Sequence, residues 1–463
     1  MFKLIDKWMF RPVDASSLAV FRILFGGLIL FESVNYGVFL CLDCMYRETD
    51  FLFKYHYFEW ARLPPGHGLE WLFLVMGIAA VCVMLGFYYR LAIIVLTVTF
   101  IWHFLIDQAL YLNHFYLAIL FLVILIFLPA HKTWSLDARR NPEWASSLIP
   151  NWSRLWLGAQ LEIVLLYAGF VKLNMDWLQL EPMRLWMNAR SQDAAPIFQW
   201  MTQDWGIALS SYGVIALHLI GAPLLLWKRT RLFVFVVYTV FHIINTFVFD
   251  IGIFPWMTLA ATLLLFDPDW PRQVLRWWNK RSRALNALEV ASHSPSSASC
   301  LRPTFSRLKV AVAAAILTWL TLQLLVPLRH FYAPGNVAWN EDGHRFSWRM
   351  KLRSKRGWAR FYVVAADGMR EVIDPADHLN AKQVRKMACI PDLIWQFAGY
   401  LESQYSRPGS LDVKVYADTS CSLNTREPAP LIDRLVDLTA IPRDEPASNW
   451  VLPLSTPLPQ NVF

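Results

Sequence analysis

Charge is scarce in this sequence. Asp, Glu, Lys and Arg make up 17% of the 463 residues, while 56% are hydrophobic and 15% aromatic, and the mean hydropathy is +0.34. That balance excludes an ordinary soluble protein of this length. Several chemical signatures are also missing. The chain has no HExxH and no paired CxxC at zinc spacing, so no metal is expected, and it has neither a phosphate-binding loop nor a GxSxG nucleophile elbow. No internal repeat is visible. Cysteine is sparse, at six residues. Cys41 and Cys44 form a CxxC without a flanking signature and are expected to be an incidental pair. Cys389 and Cys421 lie where an oxidising compartment would permit a disulfide, which their spacing does not establish.

The apolar residues fall in runs. Nine runs approach the roughly 20 residues that a helix needs to cross a bilayer, near 17–40, 70–88, 91–107, 113–130, 153–175, 207–227, 232–250, 252–267 and 308–328. The first follows a polar start (Lys3, Asp6, Lys7, Arg11) and has no small-residue cleavage site, so it is expected to remain as an anchor. Alternate loops carry nineteen Lys and Arg on one side and six on the other. The positive-inside rule then puts the N-terminus in the cytoplasm and everything after 328 outside. The net charge of +8 is therefore topology, and no nucleic-acid partner is expected.

After residue 329 the pattern changes. An Asp-Gly turn at 367–368 joins two strand-like stretches, AKQVRKMACIPDLIWQFAGYLESQYS reads as one or two amphipathic helices, and LDVKVYADTSCSL reads as another strand. The fold class is thus an α-helical multi-pass membrane domain of about nine transmembrane helices, residues 1–328, followed by a small α/β extracytoplasmic domain, residues 329–463. VASHSPSSASC at 290–300 is a low-complexity loop, and the Pro- and Leu-rich tail after 445 either packs on the domain or hangs loose.

Lys172 stands where the fifth run turns polar, in YAGFVKLNMDW. A lysine at a helix end ordinarily snorkels to water. Held out of water, it would give up its proton more readily and serve as a general base. Asn113 and His114 open the fourth run at the same outer end, and His242 lies about two turns inside the outer end of the seventh, so all four can share a layer. Glu162, His103 and His218 also lie within runs and read as structural pairs, with His218 a candidate partner for Glu162. Ten residues of helix, roughly 15 Å, keep Glu162 from being the direct counter-ion of Lys172.

Five blocks carry a family resemblance: RPVDASSLAVFRILFG (11–26), FLIDQALYLNHFYL (104–117), YAGFVKLNMDW (167–177), FHIINTFVFDIGIFPWMTLA (241–260) with LLLFDPDWPR (263–272), and GNVAWNEDGHRFSWRMKLR (335–353). In order and spacing the chain resembles the vitamin K-dependent γ-glutamyl carboxylases and their bacterial homologues along nearly its whole length. The resemblance implies a membrane enzyme that deprotonates vitamin K hydroquinone, of the menaquinol or phylloquinol type. Reaction with O2 yields a strong base that removes a glutamyl γ-proton, and CO2 adds to the carbanion. It further implies Lys172 as the hydroquinone base, Asn113 as the quinone ligand, His114 at the carbanion step, His242 as a further active-site histidine, and His344, Arg345, Phe346 and Trp348 as a cap. The implied partners are membrane lipid, a prenylated quinone and a Glu-containing peptide or protein.

Departures accompany the likeness. The animal enzymes have a second lysine before the base where this chain has Val171, and tyrosines of their GYSW segment give way to His344, Arg345 and Phe346. A loop-anchoring cysteine has no counterpart in 51–65, and their extra C-terminal region is expected to be absent. Quinone chemistry is therefore better supported than the handling of a propeptide-tagged protein. Two alternatives stay open: a quinol epoxidase that does not carboxylate, and a non-catalytic quinone- or lipid-binding protein.

Overall fold

The computed structural model describes residues 2–190, 196–249, 251–283, 307–365, 368–406 and 413–459. The low-complexity stretch 290–300 and Asp367 of the expected turn lie outside the described residues. Each of the nine apolar runs contains a helix. Six of these are long and apolar enough to cross a membrane: α1 (Ser16–Phe39), α2 (Gly68–Leu85), α3 (Tyr89–Ile106), α6 (Asp204–Leu226), α7 (Lys228–Val248) and α10 (Arg307–Phe331).

Among the described residues, six helices therefore meet the length and composition of a span, and the expected count of nine is not confirmed. At 1.5 Å per residue, α4 (Asn113–Phe127) reaches only about 22 Å and α8 (Phe254–Leu265) only about 18 Å, short of a hydrocarbon core of about 30 Å. The third, α5 (Trp152–Phe170), has the length but carries Ser153, Arg154, Gln160 and Glu162. All four are buried, because α5 is enclosed by α6, α8 and α10 rather than by lipid. Its polar groups bond to protein: Arg154 donates to the Phe266 carbonyl at 3.0 Å, and the indole of Trp319 donates to Gln160 at 2.8 Å. An enclosed helix satisfies polar side chains from its neighbours, which hydrocarbon would leave unpaired. Glu162 is not paired with His218. The imidazole Nδ1 of His218 meets the Tyr238 hydroxyl at 3.1 Å, and Oε1 of Glu162 has no hydrogen-bond partner among the described residues.

Where helices approach closely, a small residue permits it. A Cβ on Gly26 of α1 would lie 2.9 Å from the Met84 backbone nitrogen of α2, so any side chain there would push the two helices apart. At the same end of the bundle a short β1 (Pro12–Asp14) pairs antiparallel with β2 (Leu148–Pro150), and Arg272 closes on Asp14 at 2.8 Å.

The C-terminal part is built on an antiparallel sheet in the order β4 (Arg370–Ile373), β3 (Lys355–Val364), β5 (Lys414–Leu423). β5 alternates buried and outer residues, the period that a half-buried strand requires. Helices α11 (Ala381–Met387) and α12 (Pro391–Tyr405) pack against the sheet, with Phe361, Val363, Leu393, Phe397 and Val415 in the shared core. A Cys389–Cys421 disulfide ties the α11–α12 turn to β5. Cys41 and Cys44 are also bonded to each other, which corrects the incidental pairing expected of them. A turn closed by the Met45 N–H donating to the Cys41 carbonyl at 3.1 Å brings their Cα atoms to 5.3 Å, within disulfide reach. The tail after 445 packs: Val451 bridges to Ile432, and the Trp339 indole donates to the Leu452 carbonyl at 2.8 Å.

The two parts are joined by buried polar contacts. Gln383 donates to Asp107 at 3.0 Å, Gln396 to Gln108 at 2.8 Å, and the Lys54 backbone N–H to Gln396 at 2.7 Å. Arg426 grips Asp176 through two nitrogens at 2.6 and 2.7 Å, a bidentate fork that holds angle as well as distance. Removing one member of so enclosed a pair strands the other charge. Arg426→Ala should therefore cost about 3 kcal/mol, read as a lower thermal midpoint of the detergent-solubilised protein. An unchanged midpoint would show that the fork does not hold the two parts together.

Candidate active site

Between the helices and the C-terminal part lies a cavity of about 390 Å³. Its floor comes from the outer ends of four helical segments, because each apolar run changes to polar residues at that level. α5 ends at Phe170, and the chain turns so that Lys172 points back under the C-terminal part. Asn174 holds that turn by accepting the Trp177 backbone N–H at 3.1 Å. The amine of Lys172 is buried, 4% exposed, which excludes snorkelling to bulk water. It donates to the Ala168 carbonyl at 2.7 Å and the Met350 carbonyl at 3.4 Å, and lies 5.0 Å from the Trp177 ring centre. Among the described residues no carboxylate forms an ion pair with it. An ammonium in that setting loses its hydration without gaining a counter-ion, whereas a neutral amine loses far less.

Asn113 and His114 open α4 on the opposite wall. The Tyr111 hydroxyl donates to Oδ1 of Asn113 at 3.0 Å and accepts the Phe346 N–H at 2.9 Å, which leaves the Asn113 amide NH2 to donate to an occupant. His114 lies under the turn at 251–254. A Cβ on Gly252, whose φ is +53°, would come within 3.3 Å of Nε2 of His114, so the turn passes over the imidazole only because residue 252 is glycine.

His242 does not line the cavity. Its Nε2 meets the Thr258 hydroxyl at 3.0 Å in the α7–α8 contact, behind Phe254, whose ring faces the cavity. Asn245, one turn further along α7, lines it instead. The cap segment divides similarly. His344 and Arg345 line the cavity, whereas Phe346 packs among Tyr55, Phe104, Tyr111 and Tyr116, and Trp348 is fully buried and stacked on Tyr116 at 4.9 Å. Phe346 and Trp348 have φ of 59° and 55°. Such left-handed backbone is unfavourable for aromatic residues and is held here by their burial.

The roof contributes groups that sequence patterns did not single out. Glu341 lies 2.5 Å from Arg353, 3.1 Å from Lys355 and 3.8 Å from His344. Burial alone would raise its pKa, but Arg353, Lys355 and His344 outweigh this and hold it well below the usual carboxylate range. Burial, with Arg353 adding to it, pushes His344 well below its ordinary value. Burial also brings Arg349 down to about 10. Arg345, Arg349, Lys351, Arg353 and Lys386 all reach the cavity, against Glu341 as the roof's carboxylate there. The result is an apolar chamber with a basic amine and an amide at its floor and an excess of positive charge in its roof. Glu341, Arg349 and Arg353 lie within the quoted 335–353 block, and Asn245 is a single helical step from His242. Lys386 has no signal in the sequence, since only the packing of α11 brings it to the cavity.

Residues 10–270 match the family model of the HTTM domain, and residues 308–457 match that of the vitamin K-dependent gamma-carboxylase lumenal domain. No solved structure matches. The cavity draws its floor from the first matched segment and its roof from the second. With the apolar helices, these matches make the chain a membrane protein with an extracytoplasmic C-terminal part.

The folded-state pKa of Glu341 lies below its ordinary 4.5, so its stabilisation is complete above that pH and is lost as pH falls through the folded value. Glu341→Gln leaves Arg353 and Lys355 facing each other without a counter-charge. Its thermal midpoint should fall below that of the native chain by a constant margin from about pH 8 to pH 5, with the margin narrowing below about pH 4. A margin that widens on acidification would refute this assignment.

Proposed function

This chain belongs to the vitamin K-dependent gamma-carboxylase family, and from that premise we propose that it couples oxygenation of vitamin K hydroquinone to its epoxide with carboxylation of glutamyl residues. The observation that carries this reading is the Lys172 amine, buried without a counter-ion among the described residues in the same cavity as the Asn113 amide and His114. The lining suits the substrate: Leu112, Leu165, Trp177, Phe241 and Phe254 offer apolar faces to a fused ring, and the Asn113 NH2 offers a donor to a ring oxygen.

A neutral Lys172 need only take a proton from a phenol-like hydroxyl of pKa about 10, a gap that a desolvated amine can bridge. The hydroquinone, once ionised and supplied with O2, provides the far stronger base that a glutamyl γ-proton demands. Asn113 orients the ring, and His114, with no hydrogen-bond partner among the described residues, is free to hold or pass a proton at the same level. His242 acts from behind the wall by fixing Thr258 and the turn into α8. The cationic roof orients the glutamyl carboxylate, and the enclosed chamber keeps out water that would quench a carbanion before CO2 arrives. No metal takes part in this scheme. Residues 1–328 form the membrane domain and 329–463 the outer domain, with the N-terminus cytoplasmic as the Lys and Arg distribution favours. The partners are lipid, a prenylated quinone and a Glu-containing peptide.

The test uses the purified full chain with reduced vitamin K, O2, labelled CO2 and a Glu-containing peptide. Lys172→Ala should lower epoxide and label together by about 10²- to 10⁴-fold, the usual contribution of a positioned base. Arg349→Gln should raise the KM for peptide while leaving epoxide formation near native. Epoxide without label in the native chain would favour the quinol epoxidase, and no epoxide from folded protein would favour a quinone-binding protein.

A further inference from the structure

At the opposite end of the bundle from the cavity lies α9 (Trp270–Arg283). Its position follows from α1, which starts beside it at the Arg272–Asp14 ion pair, 2.8 Å, and ends in the loop bound to the C-terminal part through Met45 and Asp50. The 24 residues of α1 separate the two ends by about 36 Å, the thickness of a bilayer with part of its headgroup layers. α9 follows α8 after a four-residue turn and so begins where the apolar helices stop.

The sequence WPRQVLRWWNKRSR has five basic residues and no acid. At 100° per residue, four of the five basic positions, 272, 276, 280 and 283, fall on one face, and Trp270, Val274, Leu275 and Trp278 on the other, with position 281 among them near the helix end. Among the described residues three members of that face are exposed, Val274 at 51%, Leu275 at 49% and Trp278 at 64%. Arg276 is 67% exposed at its side chain and only loosely paired, with Asp269 at 3.7 Å. Arg272 is committed to Asp14 and serves as the tether.

A soluble partner would have to cover a tryptophan face set at the level where six apolar helices enter lipid. A bilayer interface already supplies both environments that the helix needs, acyl chains for the indoles and phosphates for the basic residues. We infer that α9 lies in the headgroup layer of the leaflet opposite the C-terminal part and binds anionic phospholipid, with its tryptophan face toward the acyl chains and its basic face toward phosphate. Each Lys or Arg near an anionic leaflet contributes about fivefold to the docking equilibrium, so the basic face makes α9 selective for lipid charge as well as for lipid. This inference is independent of the reaction proposed above.

The experiment is hydrogen exchange on the full chain in lipid nanodiscs, either of phosphatidylcholine alone or with about a third phosphatidylglycerol. In the native chain, amides of 273–279 should exchange at least about fivefold more slowly with phosphatidylglycerol present. Arg276→Gln with Lys280→Gln should remove that lipid-charge difference. Trp278→Glu should speed exchange in both discs. Protection of α2 and α3 amides in the same samples reports that each variant is folded. Equal exchange of the native chain in the two discs would overturn the proposal without recourse to any variant, as would a lipid-charge difference that survives the double substitution.

Discussion

Much of this structure depends on the way Lys172 is held. Its amine spans from the Ala168 carbonyl, one turn back on its own helix, to the Met350 carbonyl in the C-terminal part. One side chain therefore links the helical bundle to its roof at the deepest point of the cavity. The contact is permitted only because the rest of the roof is anchored elsewhere. Trp348 and Phe346 are seated among α4 aromatics, and Asp176, four residues beyond the lysine, is clamped by Arg426. Were the roof to lift, water would reach the amine and restore the hydration that burial removes.

The anchors are buried polar contacts, and this choice has a physical consequence. Apolar contacts alone would let the roof slide, because hydrophobic attraction is non-directional. The fork at Asp176 and the hydrogen bonds to Asp107 and Gln108 instead fix its register to the floor, where an amide, an imidazole and an amine line one cavity. Phe53 and Ala109, from loops of the helical part, are inserted into the core of the C-terminal part, so the two parts are also packed as one.

The enclosed helix α5 explains much of what is unusual in the bundle. A helix enclosed along most of its length can carry Arg154 and Gln160 because its neighbours receive them, and it keeps Glu162 buried as well. Those neighbours are the long helices α6 and α10 and the short helix α8. Polar residues within apparently membrane-like runs therefore mark the helices that the bundle surrounds.

The runs of apolar residues by themselves determined that this is a helical membrane protein, and the break in composition after 328 marked off a mixed α/β part. The placing of Lys172, Asn113 and His114 at one end of their runs was legible for the same reason: hydrophobic length sets the level at which each run meets water. The folded structure decided which runs are long and apolar enough to span, because α4 and α8 are shorter than the runs that contain them and α5 carries buried polar residues. It also set His242 behind the wall and Asn245 on it, a difference of one helical turn that depends on how α7 rotates against α8. The basic roof was hidden because its members come from loops and helices brought together by docking. The bond between Cys41 and Cys44 likewise followed from the local turn their backbone adopts, which no spacing rule specifies.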